Sequence, residues 1–426
     1  MNAALTILIA VPFFGNDDLD RAPINYSKGA ADNPVSRLGE KLAKKELRLK
    51  RDDEFGYLPA MLDALAVPRS SQVLVFSKTS LQQRVISPRT PRAIYFNDDV
   101  YVGYCQNGEV LEVSAADLKL GTAFYTLYQE AERPKLARQT DNCLQCHGGA
   151  ATRGYPGHIV RSLHVDSGGN PFYAAGSFRT DTSSPFDQRW GGWYVTGTHG
   201  DARHLGNTVY SGGQDAEIGG PRTAGQNVVD LKSRFETSRY LTPHSDIVAL
   251  LVLEHQTGMH NRLCQASLEA RIALEQQKTL NRELGEPDDK MWDSTASRLR
   301  GAADSVLEGL LFVGEPKLAA PVKGTSEFAT EFAAKGPRDA RGRSLRDFDL
   351  KTRMFRHPCS YLIHSAAFRG LPGEVRNPVL TRLHEILAAP GPTKGFEHLS
   401  ATDKTALLEI IRATVPELPA SWTAMK

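Results

Sequence analysis

Apolar residues recur in two rhythms along the chain. From Gln72 the apolar runs are short, β-branched and aromatic: Gln72–Phe76 (QVLVF), Ala93–Phe96 (AIYF), Val100–Tyr104 (VYVGY) and Val110–Val113 (VLEV). Asn97-Asp98-Asp99 and Asn107-Gly108 separate the later ones and supply turn chemistry, so this region predicts an antiparallel meander. Ile159–Val165 and Pro171–Gly176 flank Ser167-Gly168-Gly169-Asn170 and predict another hairpin. Trp193–Gly197 predicts a further strand, and Gly200–Gly225, rich in Gly, Asn and Asp, a long loop.

The second half follows a helical period. A long stretch from about His244 to Glu283 repeats apolar residues every three or four positions. Thr242-Pro243 supplies a capping side chain followed by a proline suited to a first helical turn. Further helices are expected near Trp292–Phe312, Glu327–Ala334, Val379–Ala388 and Thr402–Val415, with Ser400 and Asp403 as a capping pair for the last. The expected fold class is α+β, with a β-rich N-terminal half and an α-helical C-terminal half. The expected divisions are 1–15, 16–70, 71–225 and 226–426.

The N-terminal segments differ from both. Ala3–Phe14 is apolar and short, which suits the core of a signal segment or a membrane anchor, although no Lys or Arg precedes it. A buried strand is the alternative. Residues 16–70 are polar and partly helical, and the basic run Arg37–Arg51 reads as a solvated helix face.

Composition adds limits. The 426 residues carry a formal net charge of +2, so nothing suggests a nucleic-acid partner. No run of 18 or more apolar residues follows, so no internal transmembrane helix is expected. The five cysteines, Cys105, Cys143, Cys146, Cys264 and Cys359, are too few and too scattered for a disulfide framework.

Two of them fall in Cys143-Leu144-Gln145-Cys146-His147. Two thiols three positions apart on one helical turn can each add to a vinyl group of the same porphyrin, and the adjacent His can reach the iron. With 5 Cys and 12 His in the chain, chance would produce this pattern roughly 0.002 times. A redox dithiol would want a βαβ context, and a zinc site a second ligand pair; the sequence offers neither.

These five residues match the c-type cytochrome signature. The chain also resembles a group of bacterial proteins named for a cytochrome c domain, through Ser70–Gln82, Pro91–Tyr104, Arg189–Gly200 and Ser245–His255. The resemblance implies one covalent haem c, with thioethers at Cys143 and Cys146 and iron ligated by His147. It departs from the small electron carriers, which need about 100 residues and usually place a Met downstream of the motif. Here the next Met is Met259.

The sixth iron ligand would decide between electron transfer and ligand chemistry. Candidates are His158, His164, His199, His204, His255, His260 and Met259. His158 is favoured, because the Gly154-Tyr155-Pro156-Gly157 loop could fold it back over the haem. Arg189-Trp190-Gly191-Gly192-Trp193 could place Arg189 on a propionate and Trp190 against the ring; a bulged core strand is the alternative. Arg356–Tyr361, with His357 and Cys359, reads as helix-entry packing. The expected function is an exported, periplasmic mono-haem electron-transfer protein with a redox partner protein or a small-molecule donor or acceptor. The N-terminus could associate with the inner membrane. A haem oxidoreductase with an open distal site and a haem-based sensor are the alternatives.

Overall fold

The computed structural model describes residues 19–130, 132, 134–210 and 223–422. The Ala3–Phe14 segment and part of the Gly200–Gly225 loop lie outside the described residues.

The fold is α+β. Seven antiparallel strands form one sheet: β1 (Val73–Val75), β2 (Arg92–Phe96), β3 (Val100–Tyr104), β4 (Val110–Asp117), β5 (Gly121–Tyr128), β6 (Leu136–Gln139) and β9 (Trp193–Tyr194), in the order β6-β5-β4-β3-β2-β1-β9. Two small hairpins accompany it. One pairs β7 (Arg161–Leu163) with β8 (Ser177–Arg179); the other pairs β10 (Gly197–Thr198) with β11 (Lys323–Gly324). Alternation along the strands gives the sheet two distinct faces. Tyr95, Val102, Val113 and Tyr125 lie side by side on one face. They share a buried core with α1 (Pro34–Ala43) and α2 (Leu58–Ala64) through Val35, Leu38, Leu58 and Met61. The other face carries the register rows Ile94–Gly103–Glu112–Thr126 and Phe96–Tyr101–Ser114–Phe124.

That second face looks toward the one-turn α3 (Leu144–His147) and toward α4 (Ile247–Leu284). Against α4 pack α5 (Asp293–Leu310), α6 (Phe328–Ala334), α7 (Ala366–Arg369) and α8 (Gly373–Ala388), and α9 (Ala401–Thr414) packs on α8. One apolar core runs from Val73, Phe96 and Tyr101 of the sheet through α4 to Trp422, so sheet and helices share a single interior.

Several boundaries differ from the sequence expectation for identifiable reasons. α1 stops at Ala43, and Lys45 takes a left-handed conformation at φ 62°, so the basic run leaves the helix there. α4 does not start at Thr242-Pro243. Gln72 Nε2 donates to the carbonyls of both Thr242 and His244 (2.7 Å each), which holds that stretch out of the helix. The N-cap is Asp246. Its Oδ1 accepts from Val248 N–H (2.7 Å) and Ala249 N–H (3.3 Å), and its Oδ2 accepts from Thr325 N–H, Ser326 N–H and Ser326 Oγ (2.8 Å each). One buried carboxylate therefore caps the central helix and anchors the β11 connection. Ser400 and Asp403 form the expected capping box on α9.

Asp246→Ala is expected to cost about 3 kcal/mol, because it strands several buried donors as well as removing a cap. Ser400→Ala, at a less buried cap, should cost about 1 kcal/mol. Urea midpoints at unchanged slope would measure both. Equal midpoints for the two variants would contradict the double role of Asp246.

Candidate functional site

The chain leaves β6 and tightens into α3, closed by His147 N–H to the Cys143 carbonyl (2.9 Å) and Gly148 N–H to the Leu144 carbonyl (2.8 Å). Leu144 pins this turn by burying into a small core with Phe124, Tyr155, Cys264 and Leu268. Cys143 is half-buried and Cys146 is exposed; both thiols are free. Burial pushes the Cys143 thiol up to about 11, with Glu112 adding to the shift and Arg92 opposing it. It is therefore a protonated thiol at neutral pH.

His147 has a fixed tautomer. Its Nδ1 lies 2.8 Å from the Gly157 carbonyl oxygen. A carbonyl can only accept, so Nδ1 carries the proton and Nε2 keeps the lone pair. Burial lowers the His147 pKa, and the bond to Gly157 pulls it partly back up. Residue 157 is tied to His147 a second time, because Gly157 N–H donates to the His147 carbonyl (2.8 Å). Such a carbonyl partner is the arrangement that orients and tunes a histidine ligand to a metal.

The loop that supplies this carbonyl is templated by α4. Asn261 clamps His158 in both directions: His158 N–H donates to Asn261 Oδ1, and Asn261 Nδ2 donates to the His158 carbonyl, each at 2.8 Å. Cys264 Sγ donates to the Pro156 carbonyl (3.0 Å), and Tyr155 Oη donates to Glu269. A side chain at position 157 would bring its Cβ to 2.5 Å from Asn261 Oδ1 and displace the Asn261 amide that clamps His158, so glycine keeps this approach open. The chain of contacts thus runs from the central helix through the loop to the imidazole.

Arg92 and Glu112 form an ion pair (2.5 Å) on the adjacent sheet face, and both act electrostatically on Cys143 and His147. Arg92 Nε is buried with no acceptor among the described residues. Beside the loop opens a cleft of about 510 Å³, lined by Arg153, His158, Arg179, Asp181, Asn261 and Arg262 among others.

The other sequence candidates fall elsewhere. His158 follows the residue whose carbonyl meets His147 Nδ1, and its ring is buried with Nδ1 lacking a partner among the described residues. Its own Nε2 is engaged by Ser114 Oγ (2.9 Å). The Gly/Pro loop does fold back on the motif, and it brings the Gly157 carbonyl to His147. Arg189 is committed to Glu254 (2.6 Å) and to the carbonyls of Thr182 (3.0 Å) and Ser184 (2.7 Å). Burial raises the Glu254 pKa, and Arg189 opposes that shift. Trp190 is fully buried against Phe186 and His204. His255 is bonded at both ring nitrogens, to Thr182 Oγ1 (3.2 Å) and Ser360 Oγ (2.8 Å), while His260 Nδ1 meets Tyr101 Oη (2.8 Å). Met259 is core. His164 is half-buried in the segment joining the β7–β8 hairpin, and His199 packs on His204. His357 and Cys359 are buried in packing positions.

Sequence reasoning missed Gly157, Asn261 and Arg92. The Gly154–Gly157 run carried a signal for the first. The others act through partners far along the chain and left none. Among the described residues, no group of three or more His, Cys, Asp or Glu could hold a bare metal ion, and no helix is long and apolar enough to cross a membrane. Compared with known proteins, the chain matches no family model, no curated protein and no solved structure.

Arg189→Ala is expected to destabilise by about 3–5 kcal/mol, because it leaves Glu254 as an uncompensated buried charge. The Arg189→Met/Glu254→Leu double variant should recover much of that loss. Thermal or urea unfolding of the variants reports the cycle. Additive losses would refute the pairing as the main role of Arg189.

Proposed function

We propose that this chain is an exported mono-haem c protein that transfers electrons to or from a redox partner protein or a small-molecule donor or acceptor. The observation that carries the reading is the His147 Nδ1 to Gly157 carbonyl bond, set in the same turn as two free thiols. It leaves Nε2 as the free lone pair of a neutral, oriented imidazole. Each thiol would add across a vinyl group, its sulfur bonding one carbon and its hydrogen going to the other, so attachment needs no oxidant. Once bound, the haem would supply a one-electron couple. The residues would do the rest: Cys143 and Cys146 hold the ring, His147 ligates, Gly157 and Asn261 fix the imidazole, and Arg92 offers a guanidinium on the neighbouring sheet face. Ligation at the periplasmic face of the inner membrane is where such attachment takes place in bacteria, which is the ground for export.

A second reading, a haem oxidoreductase, has the cleft of about 510 Å³ in its favour. It opens beside the loop that follows the motif and is lined with arginines, which suits a small anionic substrate.

Protein made with cytochrome c maturation should stay haem-stained after denaturing electrophoresis, and Cys143→Ala/Cys146→Ala should abolish the stain. Extraction of haem from the wild type by acidified organic solvent would sink the reading. His158→Ala should leave the iron's spin state and Soret maximum unchanged, because His158 Nε2 is engaged by Ser114 Oγ. Conversion to a high-spin spectrum would instead place His158 on the iron. A wild-type ferrous spectrum that shifts with CO would favour the oxidoreductase over the carrier.

A further inference from the structure

The cleft of about 510 Å³ beside the 155–158 loop lies between two walls. Residues 151–153, 158–160 and 177–181 make one; α4 from Thr257 to Gln265, with Ser305 of α5, makes the other. The walls are joined at two places. The Asn261 side-chain amide bonds the N–H and the carbonyl of His158 (2.8 Å each), and a Cβ built at Gly258 would lie 3.5 Å from the Asp181 Cβ, an ordinary contact. The space between them is a fixed groove. Its volume falls in the range of small-molecule sites. A water occupies about 30 Å³ of liquid, so a single small inorganic ion would leave most of the groove unfilled.

Charge along the groove is one-sided. Its lining carries three guanidinium groups, Arg153, Arg179 and Arg262, against the single carboxylate of Asp181. Asp181 Oδ1 is already engaged, accepting from Ser183 N–H (2.8 Å) and Ser183 Oγ (2.7 Å). The arginines keep most of their capacity. The Arg153 side chain has no partner among the described residues. Its backbone is left-handed at φ 57°, a region that ordinarily favours glycine, yet an arginine stands there. Arg179 Nη1 donates to the Ala151 carbonyl (2.5 Å), and Arg262 Nη1 to the Ser305 carbonyl (2.8 Å) and Ser305 Oγ (3.0 Å). Each guanidinium is thus steadied by one nitrogen, and its others have no acceptor among the described residues. Glu308 approaches Arg262 at 3.5 Å with both side chains partly exposed, which is a weak pairing.

An arginine fork fits a carboxylate or a phosphate through two parallel bonds. The placement of the forks decides between the two. Arg153 and Arg179 meet at the 150–152 turn on one wall, and Arg262 stands on the other. A phosphate carries both its charges on one group and answers one wall. A molecule with a carboxylate at each end answers both, and its methylenes can lie on Ile159, Val160 and Phe178, the apolar part of the lining. We propose that this cleft binds a small dicarboxylate, one carboxylate held by Arg153 and Arg179 and the other by Arg262. As a substrate class this rests on the oxidoreductase reading of the cleft; binding itself does not.

The test is a calorimetric titration at low salt of the intact protein, as isolated from cells with cytochrome c maturation. Succinate and glutarate are the probes, with butyrate and inorganic phosphate as comparisons. A dicarboxylate should bind saturably, one per chain, and at least about tenfold more tightly than butyrate or phosphate. Arg153→Gln and Arg262→Gln should each weaken it roughly tenfold, the size of a lost charge-assisted hydrogen bond, at an unchanged melting temperature. Lys44→Gln, exposed just after α1, should leave the affinity as it is. No saturable binding, equal binding of butyrate or phosphate, or equal weakening by Lys44→Gln would overturn the proposal. Binding by the haem-free Cys143→Ala/Cys146→Ala protein and none by the wild type would also overturn it, by giving these arginines to the haem propionates. Dicarboxylate binding by a protein whose ferrous spectrum ignores CO would uphold the site and remove the oxidoreductase reading alone.

Discussion

Residues Ile247–Thr257 are buried one after another, so the first three turns of α4 have no solvent face. A helix surrounded on all sides would ordinarily be apolar throughout. This one carries Glu254, His255 and Gln256, and each must find a partner inside the protein. Glu254 takes Arg189, His255 takes Thr182 and Ser360, and Gln256 takes the Asn97 carbonyl and Tyr361 Oη. The partners come from the 182–189 segment, from the turn between β2 and β3, and from the segment before α7. Sheet and helices are thereby fixed to one axis by polar bonds that tolerate little slippage, with the apolar core filling the space between.

The same helix then serves the candidate site two turns later. Asn261, Cys264 and Glu269 face the 155–158 loop and hold its backbone and Tyr155. That loop in turn presents one carbonyl to His147. A short turn carrying two thiols and an imidazole has little rigidity of its own, and its buried anchor is the single residue Leu144. The orientation of His147 is therefore borrowed from the most deeply held element of the molecule.

Much of the architecture was legible from periodicity. β3 runs over Val100–Tyr104 as expected, and the helical half follows its apolar spacing. β5 escaped because both its faces are buried: Thr122 to Leu127 are all buried, so the alternation that marks a half-exposed strand is absent. The helix over Gly373–Ala388 was shortened in expectation because it carries Pro378 internally. The Cys143–His147 motif was legible as chemistry because it is local. Its support was not, since Asn261 and His158 are 103 positions apart in the chain.

Arg189 and Trp190 show the same limit from the other side. An arginine beside Trp-Gly-Gly-Trp has the composition of a ring-binding strand, but composition does not reveal a buried carboxylate 65 positions away. Glu254 has no solvent, so it requires a fixed cation, and Arg189 is the one that reaches it. With Arg189 held at Glu254, Trp190 is turned into the interior by a left-handed backbone and meets His204 there. The pairing that stabilises α4 and the packing of Trp190 on His204 are thus consequences of adjacent residues in one short segment. A change at Glu254 should be felt at Trp190 even though no bond joins them.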